Sequence, residues 1–310
     1  MFEPGDIRIS GRGKGRWMMI YDSCQDAISD CLDTRTFAVA HLYNNEKTMD
    51  IHIHDTYEIY FSISGGQQFL IDNRLYEFGP NDIFFINQFE SHHVKRLDSM
   101  THERIVISVH PDFVTALSTE KTDLNFCFTH RDAPFGHRLT LDEREVGRLM
   151  YYVHKLDEAH EYGQDVLDLA VFMEMLTFLN HLFYLRCRKR ESDDAVQKPV
   201  AATTRQKLID NIFSYVNQHL AENISIAALS EQFYLSGPYL CKVFKTQTGI
   251  TINNYIAAKR ISYAKELLME GYSMTETCQM CGFGDYSNFF KTFTRIVGVS
   301  PKKYVSYLQK

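Results

Sequence analysis

The stretch Leu229-Ser-Glu-Gln-Phe-Tyr-Leu-Ser-Gly-Pro-Tyr-Leu-Cys-Lys-Val-Phe-Lys, ending at Lys245, decides the fold of the C-terminal third, because it has a partner 49 residues downstream. Laid on residues 275–304, residues 226–255 match Leu240 with Phe289, Phe244 with Phe293, Gly249 with Gly298, Thr251 with Ser300 and Tyr255 with Tyr304. One supersecondary unit therefore occurs twice. In the first copy Ile226, Ala227, Leu229 and Phe233 give a short amphipathic helix. Tyr234 to Gly237 forms a tight turn, and Tyr239, Leu240, Val243 and Phe244 form the inner face of a second helix. In the second copy Gly282 breaks the preceding helix, Asp285 is a good N-cap, and Phe289, Phe290 and Phe293 make the buried stripe. Between the copies, Ile252 to Glu270 has helical periodicity through Tyr255, Ile256, Ile261, Ala264, Leu267 and Leu268. A helix of about eighteen residues spans roughly 27 Å, near the ~34 Å repeat of duplex DNA, so both second helices can enter successive major grooves.

Charge supports a nucleic-acid partner once the chain is divided. The whole chain of 310 residues carries a formal charge of −6. Residues 205–310 hold 12 Lys+Arg against 7 Asp+Glu, a local +5, and the first 204 hold 21 against 32, or −11. Two domains with different partners explain this split. The 45% hydrophobic content suffices for a core in each.

Over residues 205–308 the chain resembles the AraC/XylS family. The quoted run, Gly249, Tyr255, Arg260, Ala264 and Leu267-Leu268 carry the likeness, with Gly282-Phe-Gly-Asp-Tyr-Ser-Asn-Phe-Phe-Lys, Gly298-Val-Ser-Pro and Tyr304 in the second half. The resemblance implies that Pro238, Cys241 and Lys242 face the bases in the first unit, and Tyr286, Ser287, Asn288 and Lys291 in the second. Lys245 is a phosphate contact, and Ser236, Tyr239 and Asp285 complete the candidate DNA-binding set. Two positions depart from the pattern: Thr294 replaces a usual lysine, and Val305 stands where an arginine commonly follows the tyrosine.

Upstream, from Phe37 to about Val109, β-branched and aromatic runs such as Gln68-Phe-Leu-Ile-Asp-Asn and Asp82-Ile-Phe-Phe-Ile-Asn are broken by turn residues, which predicts an all-β sandwich or barrel. His52, His54 and Glu58 fall on one face of an extended strand, and Gly65 follows seven residues after the glutamate. This resembles the first cupin motif. A looser second motif has the turn Gly79-Pro-Asn-Asp, a strand from Ile83 to Ile86, and His92 and His93. Similar barrels form the effector-sensing half of many AraC-type regulators. The resemblance thus implies an effector pocket lined by His52, His54, Glu58, Tyr60, His92 and His93, with a sugar or sugar derivative as the first expectation. His52, His54, Glu58 and His92 can also hold a divalent metal, the one cofactor the set admits. The aromatics Tyr57, Tyr60, Phe61, Phe69, Phe84 and Phe85 are assigned to the barrel interior.

From Asp142 to Arg188 the spacing turns helical, through Val146, Leu149, Met150, Val153 and Leu156, then Leu169, Phe172, Met173, Leu176, Leu179 and Phe183. This predicts a helical hairpin with apolar surface to spare for a dimer seam. The most apolar stretch, Leu167 to Leu185, is interrupted by Asp168, Glu174, Asn180 and His181, so no membrane span is expected. Seven scattered cysteines and no secretion signal predict reduced thiols and a cytoplasmic protein, and Cys278 and Cys281 form a CxxC without a second ligand pair.

The expected architecture is α+β and multidomain: a cupin-like barrel over 1–140 with its core at about 37–110, a dimerisation hairpin over 141–190, a linker over 191–204, and a twin helix-turn-helix domain over 205–310. The expected function is that of a transcriptional regulator rather than an enzyme, working on a double-stranded operator under a small effector, as a homodimer, with RNA polymerase a further partner. The alternatives are a metal-dependent cupin enzyme or metal sensor fused to a DNA-binding domain, and a scaffold whose helix pairs bind protein.

Overall fold

The computed structural model describes residues 20–44, 51–95, 102–130, 136–158, 162–193 and 204–308. In chain order the elements of the first half are β1 (Ile20–Tyr21), α1 (Cys24–Thr34), β2 (Phe37–Asn44), β3 (Tyr57–Ser62), β4 (Gln68–Ile71), β5 (Arg74–Glu77), β6 (Asp82–Ile86), β7 (His92–Lys95), β8 (His102–Val109), α2 (Pro111–Leu117), α3 (Phe126–Thr129), β9 (Arg138–Thr140), α4 (Glu143–Asp157) and α5 (Gln164–Asp193). The strands form a six-stranded sheet in the order β1-β2-β8-β3-β6-β9 and a three-stranded sheet in the order β5-β4-β7.

Both faces of the large sheet are covered, which is why β3 and β6 are buried along their whole length and read as continuous apolar runs. Alternation sorts their side chains. Tyr60, Phe84, Ile86 and Val106 point inward, where they meet Phe69, Ile71 and Phe78. Tyr57, Ile59, Phe61, Ile83, Phe85, Ile105 and Ile107 point outward onto helices. Of the six aromatics assigned to the interior, Tyr57, Phe61 and Phe85 therefore belong to the outer core, because a doubly covered sheet has two apolar faces.

The hairpin of α4 and α5 supplies that cover. Asp142 caps α4 through a capping box with Glu145. On α5, Phe172, Met175, Leu176, Leu179 and Phe183 are buried against the outer sheet face. Most of the stripe read as a dimer seam is thus consumed within the protomer. Met173 is 37% exposed, and Val166, Leu167, Tyr184 and Leu185 are the larger apolar groups left on the surface of α5. The segment Gln164–Arg188 is long and apolar enough to span a bilayer by composition, yet its packing on the sheet is that of a core helix. α5 runs on to Asp193, past the expected start of the linker, whose residues 194–203 lie outside the described set, as do residues 1–19.

The second half is all helical: α6 (Thr204–Gln218), α7 (Ile226–Phe233), α8 (Gly237–Thr248), α9 (Ile252–Met269), α10 (Met274–Met280), α11 (Tyr286–Val297) and α12 (Pro301–Leu308). α7–α8 and α10–α11 are the two helix-turn-helix units, and α9 joins them over 18 residues. Leu240, Phe244, Phe289 and Phe293 are fully buried, and Cys278 and Cys281 sit in the same core. Phe290, placed on the buried stripe above, is instead 39% exposed. The buried row of α11 is Phe289, Phe293 and Ile296, at the i, i+4, i+7 spacing, and residue 290 lies about 100° off it.

Candidate DNA-binding surface and barrel pocket

Each second helix of a unit is set by its ends. Ser225 caps α7 by accepting the Ala228 amide, and Tyr234 reverses the chain in the left-handed region at φ 54°. Gly237, at the start of α8, sits where a β-carbon would come within 2.9 Å of the Ile226 side chain, so any larger residue would force that side chain to shift. Asp285 starts α11 by accepting the Asn288 amide at 2.8 Å. Gly249 and Gly298 end α8 and α11 at φ 85° and 83°.

With those ends fixed, Ser236, Pro238, Tyr239, Lys242 and Lys245 are exposed on the first unit, and Asp285, Tyr286, Ser287, Asn288 and Lys291 on the second. Periodicity puts Tyr239 on the inner face, but it is 45% exposed and lies with the candidate contacts. Cys241 differs from its neighbours, being half-buried and packed on the core. The lysines on the two outward faces give each unit cationic groups for a phosphate backbone.

In the barrel, His52, His54, Glu58 and His92 converge, with one ligand atom from each within 4.8 Å of all the others. Glu58 is fully enclosed. Its Oε2 lies 2.9 Å from His54 Nε2 and 3.7 Å from His92 Nε2. Burial alone would raise the Glu58 pKa, but the charge of His92 beside it and the hydrogen bond from His54 outweigh it and hold the carboxylate well below its usual range. His92 feels the same pair in reverse: burial opposes its charge, and Glu58 wins and raises its pKa.

The far nitrogens are pinned. His54 Nδ1 meets the Thr56 carbonyl at 2.9 Å and His92 Nδ1 the Glu90 carbonyl at 2.9 Å. A carbonyl only accepts, so both rings carry a proton on Nδ1 and turn Nε2 toward Glu58. Nε2 of His54 then lies at hydrogen-bond distance from the Glu58 carboxylate, and Nε2 of His92 faces it from 3.7 Å. Orientation of a ligating imidazole by a backbone carbonyl is the usual outer shell of a metal site. His92 Nε2 is moreover buried without a hydrogen-bond partner. The donor set therefore fits a divalent transition metal.

The pocket beside this cluster is lined by Cys24, Tyr60, Phe69, Val94, His102, Arg104 and Val106 as well. Tyr60 meets His102 Nε2 at 2.9 Å. Cys24, His102 and Arg104 escaped the sequence reading, although His102, Arg104 and Val106 alternate along β8 and their period-two spacing marks one face. Burial pushes the Cys24 thiol up to about 12, which makes it a poor nucleophile. His93 does not join the pocket. It is the neighbour of an inward residue on β7, so it points the other way and packs against Gly249 at the end of α8.

Residues 37–175 match the family described as AraC-like ligand binding domain, and residues 229–306 the family described as helix-turn-helix domain. The probable transcriptional regulator LumQ of Photobacterium leiognathi is 38% identical over 33% of this chain and 40% of its own length. The uncharacterized HTH-type transcriptional regulator YbfI of Bacillus subtilis is 26% identical over 76% of this chain and 80% of its own. The HTH-type transcriptional activator RhaR of Salmonella dublin is 24% identical over 82% and 86%. Two family domains in this order, carried by the barrel and the paired units described above, place the chain in the AraC-type transcriptional regulators.

Proposed function

We propose that this regulator reads a two-part operator with α8 and α11 and is controlled by a small ligand bound in the barrel pocket. The observation that carries the reading is the pair of equivalent units, both presenting exposed lysine and polar side chains from a twelve-residue helix ended by glycine and joined by one helix of 18 residues. Lys242 and Lys245 anchor the first unit; Tyr286, Ser287, Asn288 and Lys291 of the second supply hydrogen-bonding groups that Pro238 and the half-buried Cys241 lack. The first unit then contributes more to anchoring and the second more to base discrimination. Fluorescence anisotropy on a selected operator tests this: Lys242→Ala and Lys291→Ala each weaken binding with the fold intact, whereas unchanged affinity in both refutes the placement.

The ligand is small. The cavity beside Glu58 has a volume of about 30 Å³, room for water or an ion, against the roughly 300 Å³ or more of a typical organic-ligand pocket. A sugar or sugar derivative, the first expectation, needs this cavity to widen. The exposed apolar groups of α4 and α5 support a homodimer through residues 141–190. Relatedness to transcriptional regulators supports a cytoplasmic, non-enzymatic protein that meets RNA polymerase at its promoter. A cupin enzyme is the second reading, favoured by the metal-type donor set alone, and turnover by the metal-loaded chain is what would establish it.

A further inference from the structure

The second recognition helix, α11, carries an aromatic pair that its core does not use. Phe290 is 39% exposed, and among the described residues it is the only exposed phenylalanine. Tyr286, one turn earlier, is 44% exposed, and the two rings lie 6.4 Å apart at 44°. The Tyr286 hydroxyl donates to Met274 Sδ of α10 at 3.5 Å, which fixes its ring beside Phe290 and leaves the oxygen able to accept.

The pair flanks the polar residues of the same helix. Side chains three and four positions apart share a helix face, so Phe290 stands beside Ser287 and Thr294 as well as Tyr286, and the exposed Lys291 is its chain neighbour. Phe289, Phe293 and Ile296 already seat α11 on the core, and Phe290 adds little to that seat. The first unit is built differently. At the offset of 49 the counterpart of Phe290 is Cys241, small and half-buried, and that of Tyr286 is Gly237. α8 therefore has no aromatic ring at either place.

We propose that Phe290, buttressed by the ring of Tyr286, reads the C5-methyl group of a thymine in the half-site facing α11. The inference rests on the DNA-reading proposal above and names the base. A helix in the major groove meets the edges of the base pairs and not their faces, so an aromatic ring on it finds no base to stack on. The thymine methyl is the apolar group that those edges carry. Ser287, Asn288 and Lys291 recognise hydrogen-bonding groups, which thymine shares with uracil, and do not sense the methyl. Covering that methyl with Phe290 takes apolar surface of both out of water, a gain open to Phe290 because it is exposed in the free protein. Cys241 offers less apolar surface, so the methyl preference belongs to the second half-site.

The test uses the full chain and its selected operator, with each thymine replaced singly by uracil, a change that removes the methyl and keeps every hydrogen-bonding group. Anisotropy should show binding weakened roughly three- to fivefold, the cost of uncovering one methyl, at one or two positions of the block facing α11, and by less in the block facing α8. Phe290→Ala should bind the thymine and uracil forms alike. Phe290→Leu should keep part of the preference, and Lys245→Ala should weaken both forms by the same factor. Melting temperatures report whether each variant is folded. Independently of any variant, 5-iodouracil at the sensitive position, irradiated in complex with the unsubstituted chain, should crosslink to the α11 peptide that contains Phe290. Uracil tolerated at every position, a block facing α11 that lacks thymine, a methyl preference that survives Phe290→Ala, or crosslinking outside α11 each overturns the assignment and leaves the DNA-binding reading standing. Failure to bind any duplex refutes that reading, and this inference with it.

Discussion

Gly249 and Gly298 occupy the same place in the two helix-turn-helix units, yet their surroundings differ. Both end a twelve-residue helix in the left-handed region. A β-carbon on Gly249 would lie 2.8 Å from His93 of the barrel, whereas on Gly298 it would meet nothing within 4 Å. The capping position differs as well, since Asp285 accepts an amide and the equivalent Ser236 makes no side-chain cap bond. The duplication has thus been used asymmetrically: the end of the first recognition helix is a docking point for the barrel, and the end of the second is open. The barrel touches the end of the first recognition helix directly and otherwise contacts α9 and α12.

Four pairs of substitutions probe this asymmetry, in falling order of effect. Leu240→Ala and Phe289→Ala remove equivalent, fully buried side chains. They should cost about 2–5 and 3–5 kcal/mol in urea unfolding of the full chain, and equal small losses would show that the units do not share the core described. Lys242→Ala and Lys291→Ala should each lose about 1–3 kcal/mol of operator affinity. The first should weaken all sequences alike and lower the salt slope, and the second should relax base preference in its half-site. The reverse pattern would exchange the roles of the two units. Gly298→Ala should cost roughly 1 kcal/mol for its backbone conformation alone, and Gly249→Ala should cost more in thermal unfolding because of His93. Adding His93→Ala should bring the two glycine variants together; a gap that persists would remove His93 as the cause. Asp285→Ala should cost about 1 kcal/mol and Ser236→Ala only a few tenths, as expected of a cap with and without its hydrogen bond.

The helical half was readable because its signals are local. Leu240, Phe244, Phe289 and Phe293 recur at helical spacing, Asp285 and Gly298 mark ends, and a 49-residue repeat checks one copy against the other. The His52, His54 and Glu58 spacing likewise announced the cluster, with His92 supplied from a distant strand. What escaped detection depends on which face of an element meets what. The outward placement of Tyr57, Phe61 and Phe85 requires knowing that helices cover the sheet, and the burial of Phe172 to Phe183 within the protomer requires knowing that α5 is that cover. The cupin resemblance places His93 with His92 in the pocket, though strand alternation sends it to Gly249. The interface itself was invisible, because Asp55, Ser262 and Lys265 are ordinary polar residues in the sequence and become partners only when two domains meet.

The two recognition helices of one chain are proposed to read adjacent half-sites. Selection of binding sequences from a random duplex library by the full-length chain measures this directly. The expected product is a site with two conserved blocks about 10 base pairs apart from centre to centre, with the block facing α11 the more strictly defined. Enrichment of a single block, or none at physiological salt, would contradict it.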